Sequence, residues 1–89
     1  MDHYLVLRTH VDKNDNIKTQ AKLYHKQIEA RVNFLALIDE LKAQVAFLYS
    51  MPFEEFEIED FGDIEEEQNY YAFKDFEGIH NIKIEIKTI

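Results

Sequence analysis

The sequence predicts an α+β fold: a small antiparallel sheet in ββαβββ order with one long amphipathic helix packed on one face. Three observations predict it. Residues 3–25 fold back about a polar turn with like residues opposite like. Residues 26–50 carry an apolar stripe at helical spacing. Residues 69–88 fold about a glycine turn into one apolar and one polar face. The 89 residues amount to a single domain, 1–89, with enough chain for one modest core without staples.

The N-terminal hairpin comes first. Residues 3–11 alternate, with Leu5, Leu7 and Val11 on one side. Asp12-Lys13-Asn14-Asp15-Asn16 is turn chemistry. Residues 17–25 alternate again, Ile17, Thr19, Ala21 and Leu23 against Lys18, Gln20 and Lys22. Folding about Asn14 sets Val11 opposite Ile17, Thr9 opposite Thr19, Leu7 opposite Ala21 and Leu5 opposite Leu23. That is the pattern of a hairpin with one buried face, and this apolar side is expected to be the buried one. A rival reading carries the next helix backward through Ile17, Ala21, Tyr24 and Ile28. It requires a helix of over about thirty residues, against a mean near 11–12.

In the helix, Ala30, Phe34, Leu37, Leu41, Val45 and Leu48 recur at three- and four-residue steps. Pro52 disfavours helical geometry at Met51 and ends the helix there. A second apolar line, Ile28, Val32, Leu35 and Ile38, flanks the first. It serves either as a wide core face or as a possible dimer interface with a second copy.

The acidic segment, residues 53–67, follows. As a strand it turns Phe56 and Ile58 inward and Glu55, Glu57 and Glu59 outward. As a helix it gathers Phe53, Phe56, Phe61 and Ile64 on one side. We expect a strand through Asp60 and then an acidic loop. In the last hairpin, Glu77-Gly78 supplies a two-residue turn, since glycine takes positive φ without steric cost. Phe73/Ile82, Tyr71/Ile84 and Asn69/Ile86 then share the core face, and Tyr70/Glu85, Ala72/Lys83 and Lys74/Asn81 the wet one.

Charge is distributed unevenly along this framework. The first fifty residues hold seven basic and six acidic side chains, whereas residues 51–89 hold three basic and twelve acidic, within a chain of net charge −8. Nine carboxylates fall between Glu54 and Glu67, with no Lys or Arg among them. Such a surface repels nucleic acid, anionic lipid and phosphorylated substrates and attracts basic proteins.

Other chemistries find little support. There is no cysteine, so disulfides, thiolate metal sites and cysteine nucleophiles are excluded. Ser50, the lone serine, has neither base nor oxyanion hole suggested near it. No GxGxxG, GxxxxGK or HExxH pattern occurs, and no enzyme or cofactor is expected. His3 falls opposite His25, which allows two imidazoles to hold one ion. Met1-Asp2-His3 has the donor order of a square-planar Cu(II) chelate. Neither is taken as a metal site. His80 is cross-strand from Asp75, which suggests a local ion pair. No stretch is apolar enough to span a bilayer, and no signal peptide is evident, so a cytoplasmic location is expected.

On a strand, alternate residues lie about 6.6–6.8 Å apart. Glu55, Glu57 and Glu59 would then form a row of charges resembling a phosphate backbone, extended by Glu54, Asp60, Asp63, Glu65, Glu66 and Glu67. Phe53, Phe61 and Tyr70 lie close enough to supply desolvated anchors. In composition the chain is similar to small acidic proteins with which phages and mobile elements inhibit host nucleic-acid-binding proteins. Nuclease immunity proteins and antitoxins are similar in make-up. The carboxylate row leads us to expect a non-enzymatic inhibitor or adaptor that binds a basic, nucleic-acid-binding partner protein, as the likeness also implies. The alternatives are a small homodimeric structural or accessory subunit whose acid serves only for solvation, or an immunity- or antitoxin-type protein.

Overall fold

In the computed structural model, which describes residues 2–89, one helix packs across a five-stranded antiparallel sheet in the expected chain order. Strands β1 (Tyr4–Val11) and β2 (Ile17–Tyr24) form the first hairpin in the expected register, Leu5 opposite Leu23 and Val11 opposite Ile17. Its turn is built on Asp12. The carboxylate accepts the N–H groups of Asn14 and Asn16 at 2.9 and 3.0 Å, and Asp15 takes positive φ. Those two N–H bonds hold the Asp12 carboxyl below its usual range. Residues 17–24 are strand, which removes the longer-helix reading.

Helix α1 spans Gln27–Leu48 and buries Ala30, Phe34, Ile38, Leu41, Val45 and Ala46. Its end is a Schellman motif, since Met51 N–H bonds to Ala46 C=O and Ser50 N–H to Phe47 C=O. Ser50 sits there at φ 56°, so the lone serine terminates a helix. The stripe expected from the sequence shifts by part of a turn: Leu48 is exposed and Ile38 is buried.

Strands β3 (Gly62–Glu67), β4 (Tyr70–Asp75) and β5 (Asn81–Thr88) complete the sheet, in the spatial order β2-β1-β5-β4-β3. The β4–β5 pairs are those expected, Phe73 with Ile82 and Tyr71 with Ile84. The connection is longer than the two residues expected. Asp75 N–H bonds to His80 C=O, leaving residues 76–79 as the loop. The buried Asp75 carboxylate accepts the N–H groups of Ile79 (2.6 Å) and His80 (3.2 Å), while Phe76 N–H turns away to Phe61 C=O. The register survives because the loop is symmetric about the same point.

One expectation about the first hairpin is reversed. Its apolar side, Leu5, Leu7, Val11, Ile17, Ala21 and Leu23, lies on the open face of the sheet, away from α1. The side beneath α1 carries Val6, Arg8 and His10, which stand opposite Ile86, Ile84 and Ile82 of β5. Cross-strand partners share a face, so the isoleucines that build the core fix which side of β1 goes in. Val6 is buried. Arg8 is tolerated beneath the helix because its guanidinium donates to Gln44 Oε1 at 2.5 Å and lies 3.6 Å from Glu40 Oε2. The core itself is Phe34, Leu41, Val45, Phe73, Ile82 and Ile84, with Ile58 sealing one end.

Candidate functional site: an acidic sheet edge

The nine carboxylates occupy one edge and one end of the molecule, in a different local structure from that expected. Residues 53–60 are not a strand. Phe53–Glu55 and Ile58–Asp60 are single 3-10 turns, and the strand begins only at Gly62. Proline at position 52 opens the first turn, and tight i→i+3 bonds close both: Phe56 N–H to Phe53 C=O and Phe61 N–H to Ile58 C=O. Glu is a poor strand former, and five acids in seven residues find more room on turns. The outward row of Glu55, Glu57 and Glu59 is therefore not the ordered row. Those residues are exposed together with Glu54 and Asp60, but on turns of irregular direction.

The inward half of the expectation holds. Ile58 is 4% exposed and belongs to the core. Phe56 packs against that core, with its ring stacked 5.2 Å from that of Phe61, which lies 4.6 Å from Tyr49. The acidic loop is tied down by three apolar side chains.

The ordered row is on β3. Asp63, Glu65 and Glu67 alternate along this edge strand on the open face of the sheet, opposite Lys74, Ala72 and Tyr70. All three are exposed, at the strand spacing of about 6.6–6.8 Å. Asp63 and Glu65 border a shallow depression of about 320 Å³ that is also lined by Tyr70, Lys74, Asn81 and Lys83. Glu66 points to the helix side. There it acts with Glu59 on the buried Tyr71, whose hydroxyl is pushed up to about 12 by burial first and by these two charges second. Turn and strand thus converge their negative charge on both faces of one edge. Among the described residues, none of the nine carboxylates is in a salt bridge; the two pairs found are Arg8–Glu40 and Glu85–Lys87.

The opposite edge differs in sign. β2 carries Lys18 and Lys22 and no acid, whereas β3 carries four carboxylates and no base. Four inter-strand spacings of about 4.8 Å separate the two edges.

Of the expected aromatic anchors, Phe53 is exposed while Phe61 and Tyr70 are half-buried. Two anchors are new. Phe47, 83% exposed on the last turn of α1, and Phe76, exposed on the β4–β5 loop, lie at the same end as the acidic turns. Helical steps counted from Leu41 place Phe47 off the core stripe, a signal the sequence carried. Phe76 is set by its bond to Phe61, which no local pattern reveals. In the second apolar line, Ile28, Val32 and Leu35 are 67%, 60% and 48% exposed, while Ile38 is 8% exposed and part of the core. Ile38 is therefore withdrawn from the dimer-interface set.

The histidines form two cross-strand pairs. His3 Nδ1 lies 3.1 Å from His25 Nδ1, as the register implied. His80 does not pair with the Asp75 carboxylate, which is taken by backbone N–H groups. Its ring meets His10 instead, Nδ1 to Nε2 at 2.9 Å. Among the described residues no three His, Asp or Glu side chains are grouped to hold a metal ion. The His3 N–H donates to Ile89 C=O, so one of the two amides that such a Cu(II) chelate would deprotonate is engaged in the sheet. Met1 lies outside the described residues. Among the described residues no helix is long and apolar enough to cross a membrane. Comparison with family models, with curated proteins and with solved structures gives no match to this chain.

Proposed function

We propose that this chain is a non-enzymatic, cytoplasmic interaction protein, of the kind phages and mobile elements use as inhibitors. Its acidic edge occupies the nucleic-acid groove of a basic partner. The observation that carries the reading is the unpaired row of Asp63, Glu65 and Glu67 on an edge strand, continued by Glu54, Glu55, Glu57, Glu59 and Asp60 on anchored turns. Carboxylates without internal partners are free to replace phosphates, and a rigid strand holds them at fixed intervals. Exposed Phe47, Phe53 and Phe76 supply apolar area at the same end, which charge alone lacks. Because the contact is mainly electrostatic, affinity falls steeply with salt.

The test is capture from host lysate with the wild type and with an Asp63→Asn/Glu65→Gln/Glu67→Gln variant. The expected result is a basic protein that the wild type retains, that salt or duplex DNA or RNA releases, and that the variant does not hold. The variant should keep its fold, since no ion pair is lost. Retention of the same proteins by the neutralised variant defeats the proposal.

A second reading is a small homodimeric accessory subunit with a merely solvating acidic edge. It is supported by the exposure of Ile28, Val32 and Leu35 on the outer side of α1.

A further inference from the structure

The two edges of the sheet are protected to different degrees. β3 is short and carries four carboxylates, which blunts it against pairing with another strand. β2 runs for eight residues without proline or glycine, and seven of the eight are exposed; its two lysines, Lys18 and Lys22, lie on the helix side and leave the open side uncharged. Its phase in the ladder is fixed at both ends of the neighbouring strand. Asp12 N–H bonds to Asn16 C=O on the β2 side, and His3 and Ile89 exchange both bonds on the β5 side. Even-numbered residues of β1 therefore bond to β2 and odd-numbered ones to β5. It follows that Lys18, Gln20, Lys22 and Tyr24 bond inward, while Ile17, Thr19, Ala21 and Leu23 aim their backbone groups outward, where among the described residues no strand pairs with them. The side chains of those same outward residues form the apolar side of the strand, exposed on the open face of the sheet.

We infer that β2 pairs with β2 of a second copy, antiparallel about a two-fold axis at Ala21, to make one continuous ten-stranded sheet. This rests on the homodimer reading and gives it a surface. The sequence of β2 is self-complementary in that register. Ala21 meets Ala21, Thr19 meets Leu23, Gln20 meets Lys22, and Lys18 meets Tyr24, a cation beside an aromatic ring. The outward backbone groups allow only registers with odd residues opposite odd. Centring on Gln20 would set Lys18 against Lys22, and centring on Lys22 would set that lysine against itself.

The acidic edge stays clear of this pairing, while the lysines of the two β2 strands repel one another at short range. Residues 17–26 hold three lysines and no acid, and the acidic edge lies about 19 Å away across the sheet. That is more than two Debye lengths at physiological salt, where one is about 8 Å, so two chains of net charge −8 meet with their acids outward. On the helix side, Tyr24, Ile28, Glu29, Val32, Asn33 and Ala36 line a furrow bordering β2, apolar but for Glu29 and Asn33. Pairing turns the two furrows toward each other across the axis and takes Ile28 and Val32 out of water.

Sedimentation equilibrium of the whole chain, from about 1 µM to about 1 mM, is expected to show the mass rising toward twice the 10.7 kDa of one chain. Ala21→Cys should form a disulfide-linked dimer under mild oxidation, because paired Cα atoms at such a position are about 5.5 Å apart. Glu66→Cys on the acidic edge should not. Ala21→Pro removes an N–H that points outward, leaving the β1 ladder intact; it should remain folded by circular dichroism and stay monomeric. A monomer throughout the concentration range overturns both this inference and the homodimer reading. A dimer that Ala21→Cys fails to cross-link, or that survives Ala21→Pro, overturns the β2 surface and leaves dimerisation itself standing.

Discussion

His10 Nε2 lies 2.9 Å from His80 Nδ1, joining the end of β1 to the loop that precedes β5. Burial first, and then the charges of His80 and Arg8, push the His10 imidazolium below its ordinary 6.5.

A pH dependence follows with a definite sign. Folded His10 takes a proton less readily than the unfolded chain does, so unfolding absorbs protons as the pH falls below 6.5. The stability present above that value is lost as the pH drops toward the folded pKa. Thermal melts at low salt, stepped from about pH 8 to about pH 5, should show the midpoint falling in that window. His10→Asn should flatten the slope. An unchanged slope in the variant would assign the effect to other groups.

The acidic turns depend on Ile58. Its side chain is buried in the core cluster beside Phe34 and Leu41. Ile58→Ala should cost about 2–5 kcal/mol in urea unfolding, the usual range for emptying a core site. A change within about 0.5 kcal/mol, typical of a surface site, would mean that the acidic segment is not anchored as described.

Gly62 opens β3 with no room for a side chain. A Cβ there would sit 2.6 Å from the Phe73 ring and 2.8 Å from Asp75 Cα, and closer still to the Lys74 carbonyl. Two of these neighbours are backbone atoms of a central strand and cannot yield cheaply. Gly62→Ala should destabilise by about 1–3 kcal/mol. Its urea midpoint should move down with the slope of the transition unchanged.

Ser50 holds the left-handed position that ends α1, at φ 56°. A non-glycine residue there is strained by about 1–2 kcal/mol, offset in part by the extra freedom glycine has when unfolded. Ser50→Gly should raise stability by up to about 1 kcal/mol, read as a higher urea midpoint. A drop would indicate that the serine hydroxyl contributes something the Schellman geometry does not require.

Much of this architecture was legible in the residues, for local reasons. Turn chemistry at residues 12–16 and at Gly78 fixed two hairpin registers, because a period of two leaves few ways to set like opposite like. Helical spacing from Ala30 to Val45 gave α1. The acidic segment was legible as a position between helix and hairpin, with Phe56 and Ile58 inward. Its strand was misplaced, since alternation over seven residues cannot separate two 3-10 turns from a strand when the inward residues coincide. The row of charge consequently moved from Glu55, Glu57 and Glu59 to Asp63, Glu65 and Glu67. Phe76 and the His10–His80 pair are products of non-local pairing, and no sequence window contains both partners.

The face of the first hairpin divides what each level decided. The sequence by itself determined that Leu5, Leu7, Val11, Ile17 and Leu23 share a side, because alternation and register are local properties. Whether that side meets the helix was decided by the pairing of β1 with β5, which begins some seventy residues later. Val6, Arg8 and His10 fall opposite Ile86, Ile84 and Ile82, and partners across a sheet must share a face. The isoleucines of β5 go beneath α1 because they bury more apolar area there, and β1 follows them by geometry. Its own apolar side, with that of β2, is left on the open surface beside the edge at which a second copy is expected.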